Sequence, residues 1–177
     1  MFIRFVVIMI LLLPQLSCMI KPAVSTTKLP HGKTIIIFPF TANNRTVGEE
    51  IADYLREKVR ASRFTVIAGS DLQRLLAKHQ SSPAKAAANI TELIGKLEGV
   101  DAFIIGTATQ KVAEADLLFY GNNINYVSVS TARVIDAKNG ELLMLIEYKS
   151  AAPSFYRGIS TPEKTASYIA EQLNNSR

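Results

Sequence analysis

The order of apolar and polar positions predicts short buried strands alternating with amphipathic helices in the first two thirds of the chain. Thr34 to Phe38 is an almost wholly apolar, β-branched run, which is typical of a strand covered on both faces. Thr46 and Glu49 form the pattern of a capping box. The helix they open has one apolar face, made by Ile51, Leu55 and Val59. The first unit is therefore a strand followed by a helix.

Two further units repeat this order. Phe64 to Ala68 is predicted as a strand, and Ser70 with Gln73 as the capping box of a helix that buries Leu72, Leu75 and Leu76. The next helix begins at Ser82-Pro83, or the alanine-rich stretch breaks at Asn89. In either case Ile90, Leu93, Ile94 and Leu97 share one face. A buried strand over Ala102 to Ile105 follows.

The pattern in the last third of the chain predicts a hairpin and a closing helix. Asn125 to Asp136 and Glu141 to Lys149 read as strands, and Asn139-Gly140 between them is a strong hairpin signal. Thr161 is the predicted N-cap of a helix that buries Ala166, Ile169, Ala170 and Leu173. The expected fold class is therefore a single α/β domain, residues 34–177, with a mixed β-sheet, helices packed on it, a C-terminal β-meander and a closing helix.

The amino-terminal segment has the layout of a secretory signal. Arg4 supplies the positive charge, Phe5 to Leu13 is wholly apolar, and Pro14 ends the run. A membrane-spanning helix needs about 20 apolar residues, and this run is shorter. We expect residues 1–17 to be a signal peptide that is removed.

Cys18 follows this segment directly, and the arrangement resembles the lipobox of bacterial lipoproteins, which are cleaved before a diacylated cysteine. The resemblance implies lipidation of Cys18, and Met19, where an aspartate would retain the product at the inner membrane, points to the periplasmic face of the outer membrane. Gln15 stands where the family prefers Leu, Val or Ile. Ordinary cleavage further on, for example after Ser25, is the alternative.

Residues 18–33 read as an extended, lipidated tether, because this stretch carries prolines, a Ser-Thr-Thr run and a glycine. Fully stretched, such a segment reaches roughly 50 Å. The folded domain is therefore expected to stay near the membrane.

Composition excludes several classes of function. The net charge is +5, falling to +4 when Arg4 is removed with the signal, and the excess is scattered rather than arranged as a basic stripe, so nucleic acid is not an expected partner. Cys18 is the only cysteine, which excludes a disulfide framework and a cysteine-based metal site.

The residues that could carry chemistry have simpler explanations, so we expect no enzyme, no cofactor, no metal and no small-molecule substrate. His31 belongs to the tether, and His79 continues an apolar stripe at the end of its helix. Ser70 lacks the G-x-S-x-G context of a nucleophile. Glu49 and Glu50 begin a helix, where acidic residues favour the dipole.

Two aromatic clusters fall between predicted elements and are candidates for partner contacts. Phe119 and Tyr120 lie between two strands, and Phe155 and Tyr156 lie between the last strand and the last helix. Exposed aromatic groups on loops mark partner or membrane contacts. The alternative is that both segments fold back over the ends of the sheet.

Three stretches, in this order and spacing, resemble the CsgG-like (curli production assembly/transport) lipoproteins, whose fold is like the N-terminal domain of TolB and a lipoprotein activator of penicillin-binding proteins. They are Ile35 to Phe40 with Gly48, Phe64 to Ile67, and Gly95 to Gly106, and the hairpin from Val134 to Glu141 also fits. The resemblance covers most of residues 33–175.

The resemblance implies a non-enzymatic outer-membrane lipoprotein that serves as a periplasmic interaction or assembly module of an envelope or secretion system, with a protein partner or another copy. A CsgG-type secretion channel subunit is the alternative, although the connections near Lys111 to Asn123 and Ala151 to Ser160 are short for its membrane hairpins. An activator of a cell-wall synthase is disfavoured by the short tether, and a cell-wall hydrolase is less expected still.

Overall fold

The structure, a computed structural model, describes residues 25–26, 32–62, 64–113, 123–153 and 158–175. Its strands are β1 Ser25–Thr26, β2 Thr34–Ile37, β3 Thr41–Ala42, β4 Thr65–Ile67, β5 Ala102–Ala113, β6 Ile124–Asp136 and β7 Leu142–Lys149. Its α-helices are α1 Arg45–Arg60, α2 Gly69–Ala77, α3 Pro83–Ala88 and α4 Pro162–Asn175, and Ile90–Leu93 form a 3-10 helix. The predicted fold class, a mixed α/β domain with a C-terminal meander and a closing helix, is confirmed.

The sheet is parallel in one half and antiparallel in the other. Six strands lie side by side in the order β1-β7-β6-β5-β2-β4, and β3 also pairs with β5. The pairs β2-β4, β2-β5 and β3-β5 are parallel, whereas β5-β6, β6-β7 and β1-β7 are antiparallel. Parallel neighbours need helical crossovers, and α1 to α3 occupy those crossovers.

Helices cover both faces of the sheet. The larger core lies under α1 and α4 and includes Ile35, Ile37, Ile51, Leu55, Ile104, Val134, Ile146 and Ile169. The smaller core lies under α2, α3 and the 3-10 helix and includes Ile36, Phe38, Leu72, Leu76, Leu93, Leu97, Phe103 and Ile135. Alternate residues of β2 enter opposite cores, as its run of isoleucines predicted for a strand buried on both sides.

Strand β5 is three times as long as the predicted strand over Ala102 to Ile105. It pairs with β6 from Ala102 opposite Asp136 to Ala113 opposite Ile124, with a bulge between Thr109 and Gln110. Its second half alternates small and polar residues rather than large apolar ones, so no strong hydrophobic pattern marks it. The pairing with β6 sets its length.

Two predicted helix caps are wrong. Helix α1 is capped by Asn44, whose Oδ1 accepts a hydrogen bond from the Thr46 amide at 3.1 Å, so Thr46 lies inside the helix. Helix α2 follows Ala68, which makes no side-chain cap, so Ser70 is an exposed residue of the first turn. Asn and Thr share the same capping chemistry, so the sequence pattern did not distinguish Asn44 from Thr46, whereas α2 begins without any side-chain cap.

The alanine-rich stretch contains both of the features that the sequence left open. Ser82 caps α3 by accepting from the Lys85 amide at 3.4 Å, with Pro83 at the first helical position. The helix ends at Asn89, whose side-chain amide donates to Glu92. Only one 3-10 turn follows, instead of the predicted longer helix.

Three residues of the family-like motifs meet in the larger core. The ring of Phe40 lies directly over Gly106, where an added Cβ would be 2.2 Å from Cε1 of Phe40. An added Cβ at Gly48 would be 2.0 Å from the carbonyl oxygen of Phe40. Both glycines therefore let the segment after β2 pack tightly between α1 and β5.

Asp101 joins three strands at one end of the sheet, where β2 and β5 begin and β6 ends. Its carboxylate accepts hydrogen bonds from the Thr34 amide at 2.9 Å and from Lys33 Nζ at 3.0 Å. Its backbone carbonyl accepts from the Ala137 amide at 2.9 Å, which reaches the β6-β7 turn. The hydrogen bond from the Thr34 amide, followed by that from Lys33, holds the pKa of Asp101 below its ordinary value.

We expect Asp101→Asn to lower the free energy of unfolding at neutral pH by about 1 kcal/mol, because it weakens charge-assisted hydrogen bonds at a partly exposed site. Because the pKa is lowered, the carboxylate stabilises the fold when the pH is above 3.8, its pKa in the unfolded chain. This stabilisation is lost as the pH falls through the pKa of the folded state. Urea unfolding of both proteins from pH 7 to pH 3 measures the difference.

The matched control is Glu98→Gln, which neutralises an exposed carboxylate close by in the chain. Its effect should be small and nearly independent of pH. A difference between Asp101→Asn and the wild type that stays constant over this range would contradict the assignment.

Candidate functional site

The end of β5 and the start of β6 meet at one end of the sheet, which we call the hairpin end, and β7 runs toward it. Because β6 is antiparallel to both β5 and β7, β5 ends there at Ala113, opposite Ile124 at the start of β6, whereas β7 ends at Lys149, opposite Val129. The connection from β5 to β6 therefore leaves and returns at the hairpin end. It is the first of the two connections in which the sequence predicted aromatic contacts.

The connection from β7 to α4 is attached to the same place. The Ser150 amide donates to the Ser128 carbonyl at 2.8 Å, and the Val127 amide donates to the Ser160 carbonyl at 2.9 Å. The Tyr148 hydroxyl lies 2.7 Å from Ser160 Oγ, which fixes the approach to α4. The connection from β7 to α4 thus begins and ends beside Val127 to Val129, in the first half of β6.

Strand β1 lies inside the predicted tether, residues 18–33, and pairs with the sheet. Ser25 pairs with Leu145 and Thr26 with Met144 in an antiparallel ladder at the free edge of β7. Because β1 runs opposite to β7, its amino end lies toward the hairpin end. The seven residues from Cys18 to Ser25 span roughly 25 Å at most.

The predicted site residues themselves lie outside the described residues. This holds for the lipidation site Cys18 and for the four aromatic residues proposed for partner contacts, Phe119, Tyr120, Phe155 and Tyr156. The structure describes the residues on either side of the two aromatic pairs. Those that flank the first pair lie at the hairpin end, and Ser150 and Ser160, on either side of the second, bond to Ser128 and Val127 of β6.

An amide cluster that the sequence did not predict fixes the hairpin end to α1. Asn43 donates through Nδ2 to the Gln110 carbonyl at 2.9 Å and accepts from the Gln110 amide at 2.8 Å. Asn44 donates to Oε1 of Gln110 at 2.9 Å. The side chain of Asn43 therefore continues the β3 ladder past the bulge in β5. Consecutive asparagines before a helix were the only sequence signal.

Two apolar side chains near the hairpin end are exposed on the strands. Val112 of β5 is 58% exposed, and Val129 of β6 is 39% exposed. Neither was a candidate in the sequence, because a β-branched residue in a strand is expected to be buried. They extend the apolar character of this end onto described residues.

A cleft of about 320 Å³ lies beside the smaller core, where the cover of α2 and α3 ends. Its floor is Ile105 and Thr107 of β5 with Arg133 of β6, and Arg133 is the ladder partner of Ile105. Its walls are the segment after β2 and the junction between α3 and the 3-10 helix, contributed by Pro39, Thr41 and residues Ala87 to Thr91.

A larger groove of about 590 Å³ lies between α1 and the start of α2. Its walls carry two arginines and two acidic residues, Arg56, Arg60, Asp53 and Glu57. Arg56 is committed to the fold, since Nε and Nη2 donate to the Ile37 carbonyl at 3.1 and 2.8 Å and Nη1 donates to Asp53. Desolvation is the main cause that lowers the pKa of Arg56. Arg56 therefore fastens α1 to the end of β2.

In the described ranges, the residue types that the sequence considered for chemistry form an ion pair but no cluster that could hold a metal ion. No group of three or more His, Cys, Asp or Glu side chains there is placed to hold a metal ion. Glu49 forms an ion pair with Arg45 at 2.8 Å. None of the described helices combines the length and the hydropathy that crossing a bilayer requires.

Comparison with known proteins finds solved structures that have a similar fold. No family model and no curated protein matches the sequence. The lipoprotein GNA1162 from Neisseria meningitidis matches with a TM-score of 0.52 at 15% identity, over 81% of this chain and 97% of its own. PelC from Paraburkholderia phytofirmans, whose structure is a dodecamer, matches with a TM-score of 0.50 at 14% identity, over 86% of this chain and 96% of its own. The shared fold is consistent with the CsgG-like fold that the motifs predicted.

Proposed function

We propose that this chain is a bacterial lipoprotein, anchored through Cys18 on the periplasmic face of the outer membrane, where it acts without catalysis as an interaction and assembly module of an envelope or secretion system. The lipobox-like segment supports the anchor, and Met19 supports the outer membrane. Two or three acyl chains anchor a protein durably, because each buried methylene contributes about 0.8 kcal/mol. GNA1162, which shares the fold, is itself a lipoprotein.

The observation that carries the proposal is the direction of β1. Its amino end lies toward the hairpin end, and from Ser25 the chain has roughly 25 Å at most to reach the acylated cysteine. An anchor on this side of β1 would hold the domain with its hairpin end facing the bilayer. A rigid α/β body would present these segments in a defined orientation.

The partner that fits the proposal best is a second copy of the chain. PelC, which shares the fold, is a dodecamer. Copies anchored in one membrane have their hairpin ends at one height, so contacts at that end are brought together by the anchor itself. Phe119, Tyr120, Phe155 and Tyr156 are proposed as the residues that make these contacts.

We expect Cys18→Ala to remove the protein from the membrane fraction and to abolish incorporation of labelled palmitate, because Cys18 is the only cysteine of the chain. Fractionation of cells that express the full-length protein measures both effects. Cys18→Ser serves as a second variant that keeps the polarity of the side chain. A variant that remains membrane-bound with the same partners would contradict lipid anchoring.

We expect serine at all four of Phe119, Tyr120, Phe155 and Tyr156 to abolish cross-linked oligomers in native membranes while membrane binding persists, because aromatic anchors each contribute more than about 1 kcal/mol at an interface. Chemical cross-linking followed by size analysis measures the loss. The control is Tyr54→Ser, an aromatic on α1 that is 38% exposed. An unchanged cross-linking pattern in the fourfold variant would reject these residues as contacts.

A further inference from the structure

The cleft beside the smaller core has the position and the size of a ligand site. It opens just past the carboxyl end of β2, and open α/β sheets bind ligands outside the carboxyl ends of their parallel strands. Its volume of about 320 Å³ lies at the lower end of the range for pockets that hold small molecules. A short ligand, or the end of a longer one, is the occupant that fits.

The charge of the cleft points to an anion. Arg133 is the only lining residue with a formal charge. None of the ion pairs of 4 Å or less among the described residues includes Arg133. It is exposed on the floor, so its guanidinium is free to bind a ligand. Arginine is the side chain best suited to carboxylates, which it binds with two parallel hydrogen bonds.

The other lining residues include apolar and polar side chains, which suits a ligand with a short apolar stem. Pro39, Ile90 and Ile105 provide apolar walls, and the hydroxyls of Thr41 and Thr107 can meet polar atoms. Thr91 and Asn89 are fixed to each other instead, since Thr91 Oγ1 donates to Asn89 Oδ1 at 2.8 Å. That bond stiffens the wall that faces the sheet.

We propose that this cleft binds a carboxylate carried on a short apolar stem, with Arg133 as the residue that holds the carboxylate. The stem lies against Pro39, Ile90 and Ile105. The carboxylate belongs to a peptide carboxyl terminus or to a free small acid, which share this chemistry. The proposal does not depend on lipidation or on self-association.

A structural role for Arg133 is the competing explanation. Its ladder partners are Ile105 and Leu145, and the methylene stem of an arginine can cover apolar neighbours in a sheet. In that case Arg133 would stabilise the fold and bind nothing. The binding role and the structural role differ in whether the guanidinium of Arg133 binds a carboxylate ligand.

Calorimetric titration of the full chain, purified in detergent, tests the proposal with three probes. These are N-acetyl-alanyl-alanine, the same dipeptide with an amidated carboxyl terminus, and butyrate. We expect the acid dipeptide to bind saturably at millimolar concentration or below, and the amide to bind at least roughly tenfold more weakly, because it loses a charge-assisted pair. If butyrate binds with the same affinity as the acid dipeptide, the ligand is a free small acid. If butyrate binds more weakly, the ligand is a peptide carboxyl terminus.

Variants of Arg133 complete the test. Arg133→Gln should weaken binding of the acid dipeptide at least roughly tenfold, and Arg133→Lys should fall between it and the wild type, since lysine keeps the charge without the planar fork. Arg74→Gln removes an arginine from the exposed side of α2 and should change nothing. Urea unfolding of each variant separates lost binding from lost folding.

Three results would overturn the proposal. They are absence of saturable binding by the wild type, equal binding of the acid and amide dipeptides, and undiminished binding by a folded Arg133→Gln variant. If Arg133→Gln fails to fold, the comparison of the acid with the amide on the wild-type protein still decides.

Discussion

The pairing of β5 on both of its edges is the constraint on which the rest of the structure depends. One edge pairs with β2 and then with β3, and the other pairs with β6 along the whole strand. Parallel partners on one side require helical crossovers on both faces, whereas an antiparallel partner requires only a hairpin. The division of the sheet into a parallel half and an antiparallel meander therefore follows from this one strand.

The same strand places both candidate sites. Past the carboxyl end of β2, the face of β5 and β6 near the smaller core is no longer covered by α2 and α3, and the cleft with Arg133 on its floor lies there. Further along, β5 and β6 continue together to Ala113 and Ile124 and define the hairpin end. The antiparallel addition of β1 to β7 directs the amino end of β1 toward the hairpin end.

Sequence patterns predicted the elements that bury large apolar residues and missed those that polar contacts define. The isoleucines of β2, the apolar face of α1 and the Asn139-Gly140 turn were readable, because burial and turn geometry select particular residue types. The second half of β5 was not readable, since its length comes from a long-range ladder. The bond between Asn43 and Gln110 joins residues 67 positions apart, and local patterns do not record such partners. The cleft and the hairpin end both depend on these long-range pairings.

The account is tested most directly by measuring which end of the domain lies near the bilayer. Because Cys18 is the only cysteine, and acylation would block it, a fluorophore can be attached at Asn123→Cys, beside the hairpin end, or at Asn139→Cys, in the β6-β7 turn at the opposite end. Both positions are exposed. With the acylated protein in vesicles that contain nitroxide-labelled headgroups, the account predicts strong quenching at position 123 and weak quenching at position 139. Equal quenching, or stronger quenching at position 139, would contradict it.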